Sequence, residues 1–175
     1  MVEAITFQTI FQFLQTVSIM VGISYYILNL RNSQKTRETS LALQFYSNIT
    51  RKEFWKTWSN VIYTQEYNSF DEWAEKYATN DPEASSDLFT VMQIFVGAGV
   101  MLKKKIVDPK ELFEYLPHIT LPMTYLKVKP FIEGMRTHYN DPEFGKSFEY
   151  LYNEAEKLYP DLNLERASFL PGSEP

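Results

Sequence analysis

The chain has 175 residues, a formal charge of −5 and a pI near 5.1, with 45% hydrophobic and 16% aromatic residues. That content is enough for a packed core and excludes global disorder, while the acidic balance argues against a general nucleic-acid binder. Without cysteine there are no disulfides, thiolate zinc sites or cysteine nucleophiles, and only two histidines, His118 and His138, are left for acid–base or metal chemistry.

The first element is the clearest. From Ala4 to Leu30 no residue is charged. As a helix, this stretch covers about 40 Å, more than the ~30 Å hydrocarbon core of a bilayer. A cleaved signal fits poorly, because the start is Met1-Val2-Glu3 rather than basic, no small-x-small cleavage site follows, and the apolar block is too long. The reading is a short external N-terminus (1–3) followed by a retained membrane span (4–30). Glu3 is the only charge before it, whereas Arg31, Lys35 and Arg37 follow at once. Basic flanks stay on the cytoplasmic side, so the N-terminus is expected outside and residues 31–175 inside.

The span is polar in a pattern. Gln8, Gln12, Gln15, Ile19, Gly22, Tyr26, Asn29 and Ser33 are separated by alternating steps of four and three, which is a seven-residue repeat and one stripe on a helix. Amides facing lipid lack partners, and a glycine lets another backbone come close. The stripe therefore reads as a docking seam for a partner subunit or a second copy. The alternative is a polar anchor whose outer glutamines reach the headgroups.

Residues 31–49 read as a basic helical stem: 31–40 contain no apolar side chain, glycine or proline. The stretch 31–56 has six basic residues (Arg31, Lys35, Arg37, Arg51, Lys52, Lys56) against Glu38 and Glu53, and 66–87 is acidic. This gradient suits a basic end near anionic headgroups.

Beyond the stem, residues 50–159 read as a helical bundle. Thr50…Glu53 and Ser69…Glu72 have capping-box spacing. Asp81, Asp108 and Asp141 each precede a proline and an early acidic residue, which suits an N-cap and a proline-started first turn. Helix starts are expected near Thr50, Ser69, Asp81, Asp108, Thr120 and Asp141, unless the first merely continues the stem. NDPE occurs at 80–83 and again at 140–143, as repeated capping without wider self-similarity.

Leu88, Met92, Phe95, Gly99 and Leu102 recur at helical spacing, as do Phe144, Phe148, Leu151, Ala155 and Leu158. Leu121 to Tyr139 keep that spacing through Pro130, which predicts one helix with its proline held by packing. The uncharged stretch 88–102 reaches only about 22 Å as helix and is predicted to be a buried core helix rather than a second membrane segment. Its Gly97-Ala98-Gly99 invites a close neighbour. Residues 160–175 read as a surface or disordered tail. The fold class is all-α: one N-terminal transmembrane helix continuing into a cytoplasmic bundle of about five helices.

No phosphate loop, nucleophile elbow, HExxH, ExxH or EF-hand pattern occurs. His118 follows Glu111 and Glu114 at helical spacing, but Pro117 interrupts that turn and no second ligand cluster is evident. No catalytic, cofactor or metal residue is assigned. Trp55, Trp58 and Trp73 read as packing residues, and Asn48-Ile49-Thr50 is a glycosylation sequon that stays unused on the cytoplasmic side.

The order of a charge-poor span, a basic stem, "LFTVMQIFVGAGVMLKKKIVDPKELFEYL" and "PFIEGMRTHYNDPEFGKSFEYLYNEAEK" resembles a widespread family of small prokaryotic membrane-anchored helical proteins known only as a domain of unknown function. The resemblance covers about 10–158. It rests on the uncharged helix ending in the Ile106–Pro109 turn and on the stretch from Arg136 to Phe148. It implies a single-span helical protein and supplies no reaction. The expected function is a membrane-tethered interaction protein, an accessory or scaffolding subunit, whose partners are the bilayer and other membrane subunits or itself. The alternative is an anchored enzyme or sensor with a pocket between helices, for which a cavity lined by His118 or Arg136 with carboxylates would speak.

Overall fold

The structure is a computed structural model that describes residues 7–116 and 119–160. The expectations for residues 1–6, His118 and the tail from 161 therefore fall outside the described residues. Every element is helical, with no strand among the described residues. The chain divides into two units, residues 1–40 and 41–175.

Helix α1 runs Phe7–Ile49 without a break. It meets no glycine or proline after Gly22, and the stem carries good helix formers such as Arg31, Gln34, Lys35, Arg37 and Glu38. Thr16, Ser18 and Thr36 each donate to the carbonyl four residues earlier. In the first unit α1 is long and apolar enough to cross a membrane, and none of its most apolar stretch is buried.

The second unit opens with the last turns of α1, which bury Ala42, Phe45 and Ile49. Helix α2 (Lys52–Ser59) follows and widens into a π-type turn over Asn60–Thr64. The short α3 (Phe70–Trp73) likewise continues into a π-type turn over Ala74–Ala78. Then come α4 (Pro82–Lys103), α5 (Pro109–Tyr115), α6 (Thr120–His138) and α7 (Lys146–Leu158).

The capping chemistry largely forms as expected. Ser69 Oγ accepts from Glu72 N–H, and Glu72 reaches back to Asn68 N–H at 2.8 Å. Asp81 accepts from Ala84 N–H and Asp108 from Lys110 N–H, both at 2.9 Å. Helix α6 begins at Thr120 and passes through Pro130 intact, held by buried Val128, Phe131 and Ile132.

Two starts differ. Thr50 caps nothing: its hydroxyl donates to Tyr46 O at 2.9 Å, and α2 begins after Arg51 with no side-chain cap. The preceding helix ends at Ile49, so its own last carbonyls capture that hydroxyl. Asp141 does not open a helix either. Residues 141–145 form a turn in which Asp141 accepts from Glu143 N–H, and α7 starts five residues later, at Lys146, after Gly145 at φ +71°.

Helix α4 is the centre of this unit. It passes the same length and apolarity test as α1, but Leu88, Val91, Met92, Phe95, Ala98 and Leu102 are buried against neighbours. It is a core helix, as expected, though the burial of these side chains rather than its length shows it. Phe95 stacks on Phe148 of α7 with centroids 5.1 Å apart and meets Phe54 of α2 edge-on at 6.4 Å. Of its two glycines, Gly99 makes the close approach: a Cβ there would lie 1.8 Å from Ser147 O, whereas Gly97 faces open space. On the other side Trp73 packs edge-on against Phe131 of α6 at 4.5 Å, and Phe70 fills the space left by Gly134.

Candidate functional site

In a helix unbroken from Phe7 to Ile49, spacings of four and three keep Gln8, Gln12, Gln15, Ile19, Gly22, Tyr26 and Asn29 on one face. All seven are exposed, and a Cβ placed on Gly22 would meet nothing within 4 Å. The hydroxyls of Thr16, Ser18 and Thr36 find acceptors inside the helix, but the seam amides do not. Among the described residues, Gln8, Gln12, Gln15 and Asn29 have no side-chain hydrogen-bond partner. Arg31, Lys35 and Arg37 are also exposed and form no ion pair among the described residues.

Two open clefts lie in the second unit. One, of about 570 Å³, is lined by Lys56, Asn60, Tyr63, Asp81, Glu83 and Asp87 among others. Three of its polar groups hold the fold: Asn60 Nδ2 donates to Asp87 at 2.6 Å, and Asp81 caps α4. The other, of about 440 Å³, lies between residues 68–71 and α6, with His138 at its edge. His138 is the last residue of α6, as its position before Asp141 suggested, and its ring packs on Phe70 at 5.2 Å and on Tyr139 at 4.7 Å. No group of three or more carboxylates and histidines is placed to hold a metal among the described residues.

Arg136, a candidate ligand contact by sequence, serves the fold. Its Nε donates to Phe144 O at 2.8 Å and its Nη2 to Glu149 at 2.7 Å, tying the 141–145 turn and α7 to α6. It lines neither cleft. Trp58 is likewise structural: its indole N–H donates to Thr124 Oγ1 at 2.8 Å, and Thr124 donates on to Thr120 O.

Sequence reasoning missed one group of buried polar side chains. Gln65 is almost wholly buried, with its amide donating to Ala84 O at 2.7 Å. The Gln65 carbonyl oxygen, the Tyr67 hydroxyl and the Trp73 indole N–H are buried without a hydrogen-bond partner among the described residues. Burial pushes the Tyr67 phenol up and the Lys127 ammonium down; that ammonium sits 5.2 Å from the centre of the Tyr67 ring. Gln65 and Tyr67 lie in a loop without periodicity, so no spacing signal marks them. Neither cleft is lined by Tyr67 or Lys127.

Comparison with known protein families gives a match. The family described as Domain of unknown function (DUF4760) matches residues 12–155, which takes in most of α1 and nearly all of the helical head. No curated protein and no solved structure matches the chain.

Proposed function

The chain belongs to this family, and since membership brings no reaction with it, we propose a function from the chain's own chemistry: a membrane-tethered interaction protein, an accessory or scaffolding subunit of a membrane complex. In this reading residues 4–30 span the bilayer, the N-terminus is outside, residues 31–175 are cytoplasmic, and Arg31, Lys35 and Arg37 lie at the inner headgroups. The observation that carries it is the exposed, charge-free face of α1 with its unpartnered amides. Hydrocarbon offers those amides no hydrogen bond, whereas a second helix does. The head supports the same reading, because its described tryptophans and phenylalanines pack in or against the core, and Asp81, Asp108 and Arg136 are spent on caps and ties.

The topology has a direct test. Protease added to intact cells or right-side-out vesicles should leave residues 31–175 undigested; cleavage there while the membrane is sealed would reverse the assignment. The seam is tested by replacing Gln12, Gln15 and Gly22 together with leucine. Insertion should survive, since the helix becomes more apolar. Association should weaken by about 2 kcal/mol, roughly thirtyfold, from interhelical hydrogen bonds worth ~0.6 kcal/mol on average and lost packing at glycine. The measurement is co-purification in mild detergent at equal membrane levels. Undiminished association would mean that the face meets lipid or headgroups and the helix is only an anchor.

A further inference from the structure

We propose that the partner of this seam is a second copy of the chain, paired parallel and in register, and that the pairing face continues beyond the bilayer into the stem. The proposal rests on the seam reading above and names its occupant. Carried forward by the same steps, the stripe runs through Ser33, Thr36, Ser40, Leu43 and Ser47. Not one of these is charged, although Arg31, Lys35, Arg37 and Glu38 crowd the same stretch. All five are exposed.

The burial of the last turns of α1 agrees with this phase. Leu41, Ala42, Phe45 and Ile49 are the side chains that pack into the second unit's own core. In seven-residue register they occupy the outer positions of a two-helix pair, opposite Leu43 and Ser47. Leu43, 47% exposed, and Ser47 are left open on the seam side. Tyr46, which flanks the seam, touches Tyr115 yet remains exposed. Within the second unit, the core thus covers the side of α1 that faces away from Leu43 and Ser47.

The chemistry of the face selects a like partner. In a parallel, in-register pair each seam residue meets its own copy. Gln, Asn, Ser and Thr side chains both donate and accept, so each can bond to itself; Gly22 against Gly22 permits close approach. Charges are absent from the seam, and Arg31, Lys35 and Glu38 fall on outer positions. Arg37 alone flanks the seam, and its neighbour across the pair is Asn32 of the second copy rather than a cation. All copies insert with the same orientation, so lateral encounters are parallel by default. A repeat of 3.5 residues keeps such a seam closed along a left-handed pair.

The chain lacks cysteine, so single cysteines can report the phase. Full-length proteins carrying Ser33→Cys, Thr36→Cys or Ser40→Cys, and as off-face controls Arg31→Cys, Gln34→Cys or Lys35→Cys, would be oxidised mildly in native membranes. Disulfides need Cα atoms within about 7 Å, so the on-face positions should form covalent dimer roughly fivefold faster than the off-face ones. Two copies with different tags should also co-purify before oxidation. Equal or absent crosslinking at the six positions would overturn the proposal. If in that case the Gln12, Gln15 and Gly22 triple replacement still releases another membrane protein, the seam reading stands and its partner is a different chain. If it releases nothing, both fall.

Discussion

Gly99→Ala is expected to destabilise the full-length protein by about 2–3 kcal/mol or more, an overpacking cost, while Gly97→Ala in the same helix should be neutral or stabilising by up to ~1 kcal/mol. The two sites are two residues apart and share a helical backbone, so propensity favours alanine at both. They differ in what faces them. A Cβ on Gly99 would lie 1.8 Å from Ser147 O and 2.5 Å from Ser147 C, backbone atoms that no rotamer change can remove. Helix α7 has to move as a unit, which separates Phe148 from Phe95. At Gly97 there is nothing within 4 Å. Urea unfolding of the detergent-solubilised protein, followed by tryptophan fluorescence, measures both. Equal midpoints for Gly99→Ala and the parent would mean that α4 and α7 do not meet at this point.

Phe148→Ala should be costlier still, by about 3–5 kcal/mol, as for other large-to-small aromatic changes in cores. Phe148 is fully buried, stacked on Phe95 at an interplanar angle of 7° and met edge-on by Tyr125 at 5.4 Å. Truncation removes both ring contacts and leaves a cavity at the junction of α4, α6 and α7. For a head of this size the midpoint of thermal unfolding should fall by about 10 °C or more. Phe148→Leu keeps most of the volume and should lose less than half as much. A drop for alanine no larger than that for leucine would show that the site collapses around the missing ring.

Both substitutions act on the head and leave the α1 seam residues unchanged. Membrane association and pairing through α1 should therefore persist in partly unfolded Phe148→Ala protein, whereas the seam replacements should leave unfolding of the head unaltered. Separation of the two sets of effects is what a tethered interaction protein with an independent pairing helix requires.

Much of this was legible in the residues themselves. The uninterrupted run up to Leu30 determines a long apolar helix, described from Phe7 onward, because no proline or charge occurs within it. Proline after aspartate marks the starts of α4 and α5, since the aspartate accepts an otherwise orphaned N–H and the proline has none to offer. The helical spacing of Leu88, Met92, Phe95, Gly99 and Leu102 marks the face that α4 buries. The stripe on α1 is a matter of spacing alone, and a continuous helix preserves it.

The tertiary structure decided the rest, and the two NDPE segments give the reason. At 80–83 the aspartate caps α4 directly; at 140–143 the same four residues make a turn, and Asn140 adopts φ +51°. Nothing within the tetrapeptide differs. After the second copy come Phe144, whose carbonyl is held by Arg136, and Gly145, where a Cβ would lie 2.9 Å from Ile132. Contacts with α6 thus outweigh a local signal worth about 1 kcal/mol. Thr50 lost its cap role to a nearer competitor, the carbonyl of Tyr46 four residues earlier. Local chemistry by itself determined which segments are helical and which face of α1 stays free of charge. Long-range packing decided where α7 begins, against the signal of its own NDPE segment, and which of two neighbouring glycines is indispensable.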